Sequence, residues 1–241
     1  MANLLIEIGN TALKAAWTEG MTLGKTFRYQ GEKELDYILT LTAKEKPAVM
    51  AVASVRNISE HALEALRREC GTLLVMDPSH REVLDRFGLP QHLSYDRAAA
   101  ILAAKYLFKG KPLTIFDFGT TMTVDFIDAE GRWTGGNVSP GCRTRFKALN
   151  RYSKTLPLVD TPADPAPVGE SEKTSIESGV ISGIMFEIEG YVRLHPGNIV
   201  VFTGGDADYF AKRMKNSIFA VCNLVLIGLS LITGQYADRT A

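Results

Sequence analysis

The chain has 241 residues, of which 46% are hydrophobic and 22% charged, and its 27 basic residues balance its 27 acidic ones. This composition predicts a soluble globular protein with one large or two small domains. The balanced charge gives no overall positive field, so we expect neither nucleic acid nor a membrane surface as a partner. The cysteines lack the spacing of a disulfide framework or zinc site, and the N-terminus lacks a signal-peptide pattern. We therefore predict a cytoplasmic location.

The first half of the chain begins with strands and then alternates strands with helices. A three-strand meander is predicted over 4–8, 12–18 and 26–29, followed by helices at 32–42 and 59–70 around a strand at 49–55. After a strand at 73–76, the segment 77–95 contains Pro78, Gly88 and Pro90, which is typical of a loop. An alanine-rich helix is predicted over 96–107, with Asp96 as its N-cap or first-turn acid.

The second half repeats this order. A second meander is predicted over 113–116, 122–127 and 132–138, and helices over 143–152 and 175–194 flank a proline-rich connector. A strand at 199–202 leads into two closing helices. The apolar stretch 218–232 predicts a buried helix, because it is shorter than the roughly 20 residues of a membrane span. We place the boundary near Gly110, which gives domains 1–110 and 111–241.

Two similar turns follow the first strand of each half, Glu7-Ile-Gly-Asn-Thr and Asp117-Phe-Gly-Thr-Thr. The glycine permits a positive φ, and freed N–H groups with a threonine hydroxyl can donate to phosphate oxygens. A carboxylate at the strand end can hold the accompanying cation. One such segment alone is more simply an ordinary turn. Two of them, with a third glycine segment at Thr203–Asp206, favour a nucleotide cleft.

The ordered motifs resemble those of type III pantothenate kinases, within the actin, hexokinase and acetate kinase superfamily. The matching segments are Glu7–Lys14, Tyr95–Arg97, Asp117–Asp125, Gly135–Gly141, Lys154–Pro157 and Thr203–Asp206. The resemblance implies an α/β chain with a duplicated actin/ribonuclease H-like ATPase fold, in which a nucleotide cleft separates two domains. It also implies ATP-dependent phosphorylation of pantothenate to 4′-phosphopantothenate, the first step of coenzyme A biosynthesis. The implied enzyme is a homodimer that needs Mg²⁺ and a monovalent cation, K⁺ or NH₄⁺.

The resemblance also assigns roles to individual residues. Asp96 matches the catalytic base, although without the family match a plain helix N-cap is an equal alternative. Asp117 matches the ligand of the monovalent cation, and Glu7 could reach Mg²⁺ through a bound water. The implied ATP-binding residues are Glu7, Gly9, Asn10, Thr11, Lys14, Thr120, Gly204 and Gly205. The implied substrate-binding residues are Phe87, Ser94, Tyr95, Arg97 and Thr174.

Each of these roles has a plainer structural alternative. Lys14 could be a solvated strand lysine, Arg97 a surface cation on a helix, and Thr174 a helix cap. The carboxylate and hydroxyl of the second turn are common in turns anyway. Asp125, on the strand after that turn, could reach a metal or simply face solvent, and its spacing does not decide between the two.

Three residues depart from the family pattern. Glu7 stands where the family has aspartate, and an added methylene moves the carboxylate by about 1 Å, which can cost about 10²-fold in rate. Ser94 replaces a preferred glycine, and Phe87 aligns with a substrate tyrosine but lacks the hydroxyl. These departures motivate two alternatives, a catalytically weak nucleotide-binding sensor and a kinase for another small hydroxylated acceptor.

Overall fold

A computed structural model describes residues 2–215 and 217–237, and the chain divides into two compact units. The first unit comprises Met1–Leu107 with Asn223–Ala241, and the second comprises Phe108–Cys222. The division after Leu107 lies close to the predicted boundary at Gly110. The predicted division into 1–110 and 111–241 differs from this one from Asn223 onward, because the helix Leu224–Ala237 packs with the first unit.

The first unit contains five strands and five helices within the described residues. The strands are β1 (Asn3–Ile8), β2 (Leu13–Glu19), β3 (Thr22–Tyr29), β4 (Val49–Ser54) and β5 (Thr72–Met76). The helices are α1 (Glu34–Thr42), α2 (Glu60–Arg67), α3 (Glu82–Arg86), α4 (Tyr95–Leu107) and, at the end of the chain, α8 (Leu224–Ala237).

The strands of the first unit form one mixed sheet in the order β3-β2-β1-β4-β5. The β1 strand pairs antiparallel with β2 and parallel with β4, which in turn pairs parallel with β5. All six residues of β4 are buried, as expected for a parallel strand covered on both faces. Leu4, Ile6 and Val52 belong to the apolar core between this sheet and its helices.

Helix α8 joins the first unit because it is apolar around most of its circumference and must be covered. It packs against α4 at Gly228, where a Cβ atom would overlap the backbone of Ala99. Glycine thus allows the close approach of the two helices. No helix in the described ranges is both long and apolar enough to cross a bilayer.

The second unit repeats the same pattern. Its strands are β6 (Leu113–Phe118), β7 (Thr121–Ile127), β8 (Trp133–Pro140), β9 (Ile199–Gly204) and β10 (Ile218–Ala220). Its helices are α5 (Cys142–Tyr152), α6 (Glu172–Leu194) and α7 (Ala207–Ala211). The sheet order is β10-β9-β6-β7-β8, so β6 occupies the position that β1 has in the first sheet. Phe116, Phe146, Phe202 and Phe210 fill the core of this unit.

The structure confirms both predicted meanders and corrects two details. The loop predicted at 77–95 contains the short helix α3. The helix predicted over 218–232 is wrong at its start, because Ile218–Ala220 forms the edge strand β10 and the helix begins at Leu224. A short apolar run is ambiguous between strand and helix until a partner strand is known. Here the parallel partner of β10 is β9.

Candidate active site

The first turn places an ion pair near the end of β1. Glu7 on β1 and Lys14 on β2 lie directly opposite each other in the antiparallel ladder, so their side chains project from the same face. The Lys14 Nζ lies 3.6 Å from the Glu7 Oε2, and the two side chains are 29% and 15% exposed, respectively. The lysine predicted to contact phosphate therefore has a carboxylate partner within its own unit.

Asp96 lies near this pair, in the first turn of α4. Within the described part of the chain, only the Asp96 Oδ1 and the Glu7 Oε2 are buried side-chain oxygens or nitrogens without a hydrogen-bond partner. Burial raises the pKa of Glu7, the Lys14 ammonium lowers it, and the Asp96 charge raises it again, so the carboxylates are close enough to interact. Buried oxygens without a donor are suited to receive a cation or a substrate hydroxyl.

The tip of the first turn is formed by the predicted ATP-binding residues Gly9, Asn10 and Thr11. The Gly9 N–H donates to the Ala12 carbonyl oxygen at 3.0 Å and closes the turn. A Cβ atom at Gly9 would lie 3.2 Å from that oxygen, a tight distance that favours glycine. Asn10 and Thr11 are exposed. The tip is thus an accessible polar loop directly beyond the buried carboxylate of Glu7.

The second turn holds its carboxylate in a different way. Asp117 lies near the end of β6, and Gly204, at the end of the neighbouring β9, has a φ of +93°. A Cβ atom at Gly204 would lie 2.5 Å from the Asp117 Oδ1, so only glycine fits there. The backbone of the exposed Thr120 is fixed by two hydrogen bonds. Its carbonyl oxygen accepts from the Gly141 N–H at 3.0 Å and from the Thr144 hydroxyl at 2.6 Å.

Asp206 is a polar residue of this region to which the sequence analysis gave no role. It follows the exposed Gly205, and its N–H donates to the Phe118 carbonyl oxygen at 3.4 Å. Burial raises the pKa of its carboxyl group. In the sequence, Asp206 could have been recognised as a candidate site residue because it ends the glycine segment Thr203–Asp206.

Of the predicted acceptor-binding residues, Phe87 directly follows α3, and Ser94, Tyr95 and Arg97 lie at the start of α4. Phe87, Ser94 and Arg97 are half-buried. Tyr95 is 2% exposed, and its phenol donates a hydrogen bond to the His80 carbonyl oxygen. Its side chain is thus directed into the unit, and its contact with substrate stays a prediction.

Thr174 and Asp125 have partners that the sequence did not show. Thr174 forms a capping box at the start of α6, in which its hydroxyl accepts from the Ser171 N–H at 2.9 Å and the Ser171 hydroxyl accepts from the Thr174 N–H at 3.2 Å. Thr174 therefore takes part in capping α6 as its N3 residue, and its contact with substrate stays a prediction. Asp125 is buried and accepts from the Trp133 indole N–H at 2.7 Å, so it does not face solvent.

The side chains fit the cations that the family implies only if other oxygens complete the coordination. Within the described residues, no group of three or more His, Cys, Asp and Glu side chains is arranged to hold a metal. Mg²⁺ is commonly held by one or two carboxylates together with waters and substrate phosphates. The Glu7 Oε2 and the Asp96 Oδ1, which have no hydrogen-bond partner in the described residues, match that requirement. In the second unit, Asp117 supplies a carboxylate close to backbone.

The fold defines a structural class. An activator of 2-hydroxyisocaproyl-CoA dehydratase from Clostridium difficile, solved with bound ADPNP, has a TM-score of 0.61 at 13% identity and covers 100% of this chain and 97% of its own. MreB5 of Spiroplasma citri, bound to ADP, has a TM-score of 0.54 at 12% identity and covers 99% and 98%. These likenesses confirm the predicted class, a duplicated two-domain α/β fold of the actin and hexokinase type.

Relatives of higher identity define the family. The family model described as type III pantothenate kinase matches residues 3–194. The type III pantothenate kinase of Phocaeicola vulgatus is 37% identical over 98% of this chain and 99% of its own length. That of Cytophaga hutchinsonii is 36% identical over 95% and 97%. The chain therefore belongs to the type III pantothenate kinase family, and the predicted family and enzyme class are confirmed.

Proposed function

We propose that this chain transfers the γ-phosphoryl group of ATP to the terminal hydroxyl of pantothenate, which gives 4′-phosphopantothenate for coenzyme A biosynthesis. The observation that carries the proposal is the group of Glu7, Lys14 and Asp96 in a member of this family. Phosphoryl transfer needs an aligned acceptor, charge neutralisation and a proton acceptor. The ion pair of Lys14 with Glu7 and the buried oxygen of Asp96 supply two of these three elements.

Asp96 is the proposed general base. Its Oδ1 is buried and has no donor within the described residues, so an acceptor hydroxyl can donate to it without displacing another bond. The first turn of α4 also places Asp96 at the positive end of the helix dipole, where a negative side chain interacts favourably. Asp96 would accept the hydroxyl proton as the oxygen attacks the γ-phosphorus, while the bond to the β-phosphate oxygen breaks and ADP leaves.

Glu7 and Lys14 are the proposed phosphate and cation contacts of the first turn. Bound Mg²⁺ would neutralise phosphate charge, with Glu7 holding it through a water. Lys14 would then exchange its 3.6 Å contact with Glu7 for a phosphate oxygen, to which it donates as a point charge. Gly9, Asn10 and Thr11 would donate to phosphate oxygens from the exposed tip of the turn.

The second unit has proposed ATP contacts of its own. Thr120 offers an exposed hydroxyl to a phosphate, and Asp117 is the proposed ligand of the monovalent cation. Gly204 and Gly205 would let adenosine lie against the backbone, because neither presents a side chain. Among the proposed acceptor contacts of the first unit, Arg97 would pair with the pantothenate carboxylate, and Phe87 and Ser94 would line the surface beside it. Thr174 is the proposed acceptor contact of the second unit.

A homodimer is the proposed assembly, and the cytoplasm the proposed location. An apolar groove of about 710 Å³ in the second unit supports the dimer, and Leu149, Tyr152, Ile176 and Val180 are among its lining residues. Tyr152 is 84% exposed, and Phe186 on α6 is 68% exposed. An apolar groove and large exposed apolar side chains on the same unit favour an interface. Sedimentation of the purified chain would report the mass of the assembly.

The first test is ADP production from Mg-ATP with and without pantothenate, in potassium buffer and again in sodium buffer. We expect turnover that depends on pantothenate and is stimulated by potassium. ATP binding without such turnover would instead favour the nucleotide-binding sensor. If pantothenate is inert, a screen of small hydroxylated acceptors would test the third possibility, a kinase for another substrate.

A further inference from the structure

The segment between β5 and α4, residues 77–94, begins at a buried carboxylate that no proposed function uses. Asp77 follows β5 directly and is 1% exposed. Its Oδ2 accepts from the Ile58 N–H at 3.1 Å, and its Oδ1 accepts from the N–H groups of Ser79 at 2.8 Å and His80 at 3.2 Å. Asp77 thus fixes the start of this segment to the loop that follows β4.

The imidazole of His80 is held by the same carboxylate. Its Nδ1 lies 2.8 Å from the Asp77 Oδ1. Burial by itself would raise the pKa of Asp77, but the hydrogen bonds from Ile58, His80 and Ser79 outweigh that effect and lower it. The carboxylate is therefore a charged, saturated acceptor, and His80 is restrained through both its backbone and its side chain.

The end of the segment is fixed to its start through His80. The His80 carbonyl oxygen accepts from the phenol of Tyr95, the first residue of α4. The guanidinium of Arg81 adds a second connection, because its Nη1 donates to the carbonyl oxygens of Gln91 and, at 3.2 Å, Leu93. These bonds span the intervening residues and close the segment immediately before Asp96.

This arrangement bears on Asp96 because its Oδ1 has no hydrogen-bond partner in the described residues. The position of that oxygen therefore depends on where the first turn of α4 begins. A displacement of about 1 Å at a reacting group can cost about 10²-fold in rate. Tyr95 directly precedes Asp96 in the chain, and its phenol is held by the hydrogen bond to His80.

We infer that Tyr95 is a positioning residue for phosphoryl transfer, and that Asp77 supports it by holding His80 in place. Tyr95 acts through Asp96 and does not contact the substrate itself. This inference rests on the proposed function in one respect, the role of Asp96 as general base. It differs from the sequence prediction for Tyr95, which was a direct substrate contact.

The test is Tyr95→Phe, which removes only the phenolic oxygen. We expect kcat to fall about 10-fold to 10²-fold, with KM for ATP and for pantothenate within about threefold of the wild-type values. The matched control is Tyr106→Phe, the same substitution on the same helix at a side chain that is 44% exposed, with kcat unchanged. A rise in KM with unchanged kcat would instead establish the substrate contact and overturn the inference.

A double-mutant cycle separates positioning from general structural damage. In the Asp96→Asn background, Tyr95→Phe should cost little further activity, because the group that it positions is already removed. An equal fold loss in both backgrounds would overturn the inference. If the wild-type chain has no pantothenate-dependent turnover, the proposed function fails.

Backbone hydrogen exchange then tests the bond independently of turnover. The Ala98 N–H, which donates to the Ser94 carbonyl oxygen at 3.0 Å, should exchange faster in Tyr95→Phe than in Tyr106→Phe. Equal exchange rates in the two variants would show that the phenol does not hold the start of α4. Asp77→Asn places an NH₂ donor among the N–H groups that now donate to the carboxylate, so it should also raise the exchange rate of the Ala98 N–H.

Discussion

The two acidic turns have the same place in their sheets but hold their carboxylates by different means. Each follows the first strand of a meander, and that strand pairs parallel with a later one on its other side. In the first turn, the buried Oε2 of Glu7 forms an ion pair with Lys14 at 3.6 Å but has no hydrogen-bond partner. In the second, Asp117 lies where a side chain at Gly204 would collide with it.

The difference also extends to the tips of the turns. Ile8 pairs with Leu13 in the first hairpin and Phe118 with Met122 in the second, so the second tip is one residue shorter. Thr120 in the shorter tip is supported by Gly141 and Thr144. The two turns therefore share a backbone arrangement but hold their carboxylates differently. The first turn depends on charge, and the second depends on the space that glycines leave.

The largest expected effect is the loss of the charge of Asp96. Asp96→Asn keeps the size of the side chain but removes the proton acceptor, so kcat should fall by about 10²-fold to 10⁴-fold. Circular dichroism should show an unchanged fold. Near-normal turnover in this variant would remove Asp96 as the base and weaken the view that charge is decisive in the first unit.

The next effect tests space in the second unit. Gly204→Ala adds a Cβ atom at a φ of +93°, 2.5 Å from the Asp117 Oδ1, and should destabilise the chain by about 2–4 kcal/mol. Gly205→Ala is the matched control, because a Cβ atom there would lie 4.0 Å from its nearest neighbour. Urea unfolding would measure both variants. Equal stability would mean that the second turn relaxes freely.

A smaller effect concerns the folding stability that is lost by burying the charge of Glu7 in the first turn. Because burial raises the pKa of Glu7, its ionised form costs folding free energy, and Glu7→Gln should raise Tm by about 2–4 °C at neutral pH. Because the pKa is raised in the folded state, the stability of the wild type relative to Glu7→Gln is greatest at pH values below the ordinary pKa of glutamate. That relative stability is lost as pH rises through the folded-state value.

Thermal unfolding from pH 4 to 8 without Mg²⁺ would measure this difference. Asp117→Asn is the control in the second turn, and it should not raise Tm, because Asp117 has no buried unpartnered oxygen. A Tm for Glu7→Gln below that of the wild type at neutral pH would show that the ion pair with Lys14 outweighs burial.

The smallest expected effect is that of Glu7→Asp, which keeps the charge and shortens its reach. We expect kcat to be preserved or to rise, because aspartate restores the family's side chain at this position. Steady-state kinetics at saturating Mg-ATP would measure it. If turnover is abolished instead, the contact between Glu7 and Lys14 has adapted this turn to glutamate.

Much of the fold could be predicted because the spacing of apolar residues and the positions of glycines can be read from short stretches of the sequence. Both meanders and α4 follow from alternating or helical apolar spacing. The start of the 218–232 stretch could not be predicted, because Ile218–Ala220 is a strand only through its pairing with β9. Similarly, the place of α8 in the first unit depends on the alanines of α4, which are distant in sequence.

The candidate site divides in the same way. The sequence by itself determined which residue types stand at the two turns and at the start of α4, because those motifs are short and continuous. Only the tertiary structure decided their partners. Lys14 faces Glu7, Tyr95 bonds to His80, and Asp125 bonds to Trp133. Burial and pairing depend on groups that the fold brings together, and no linear spacing encodes them.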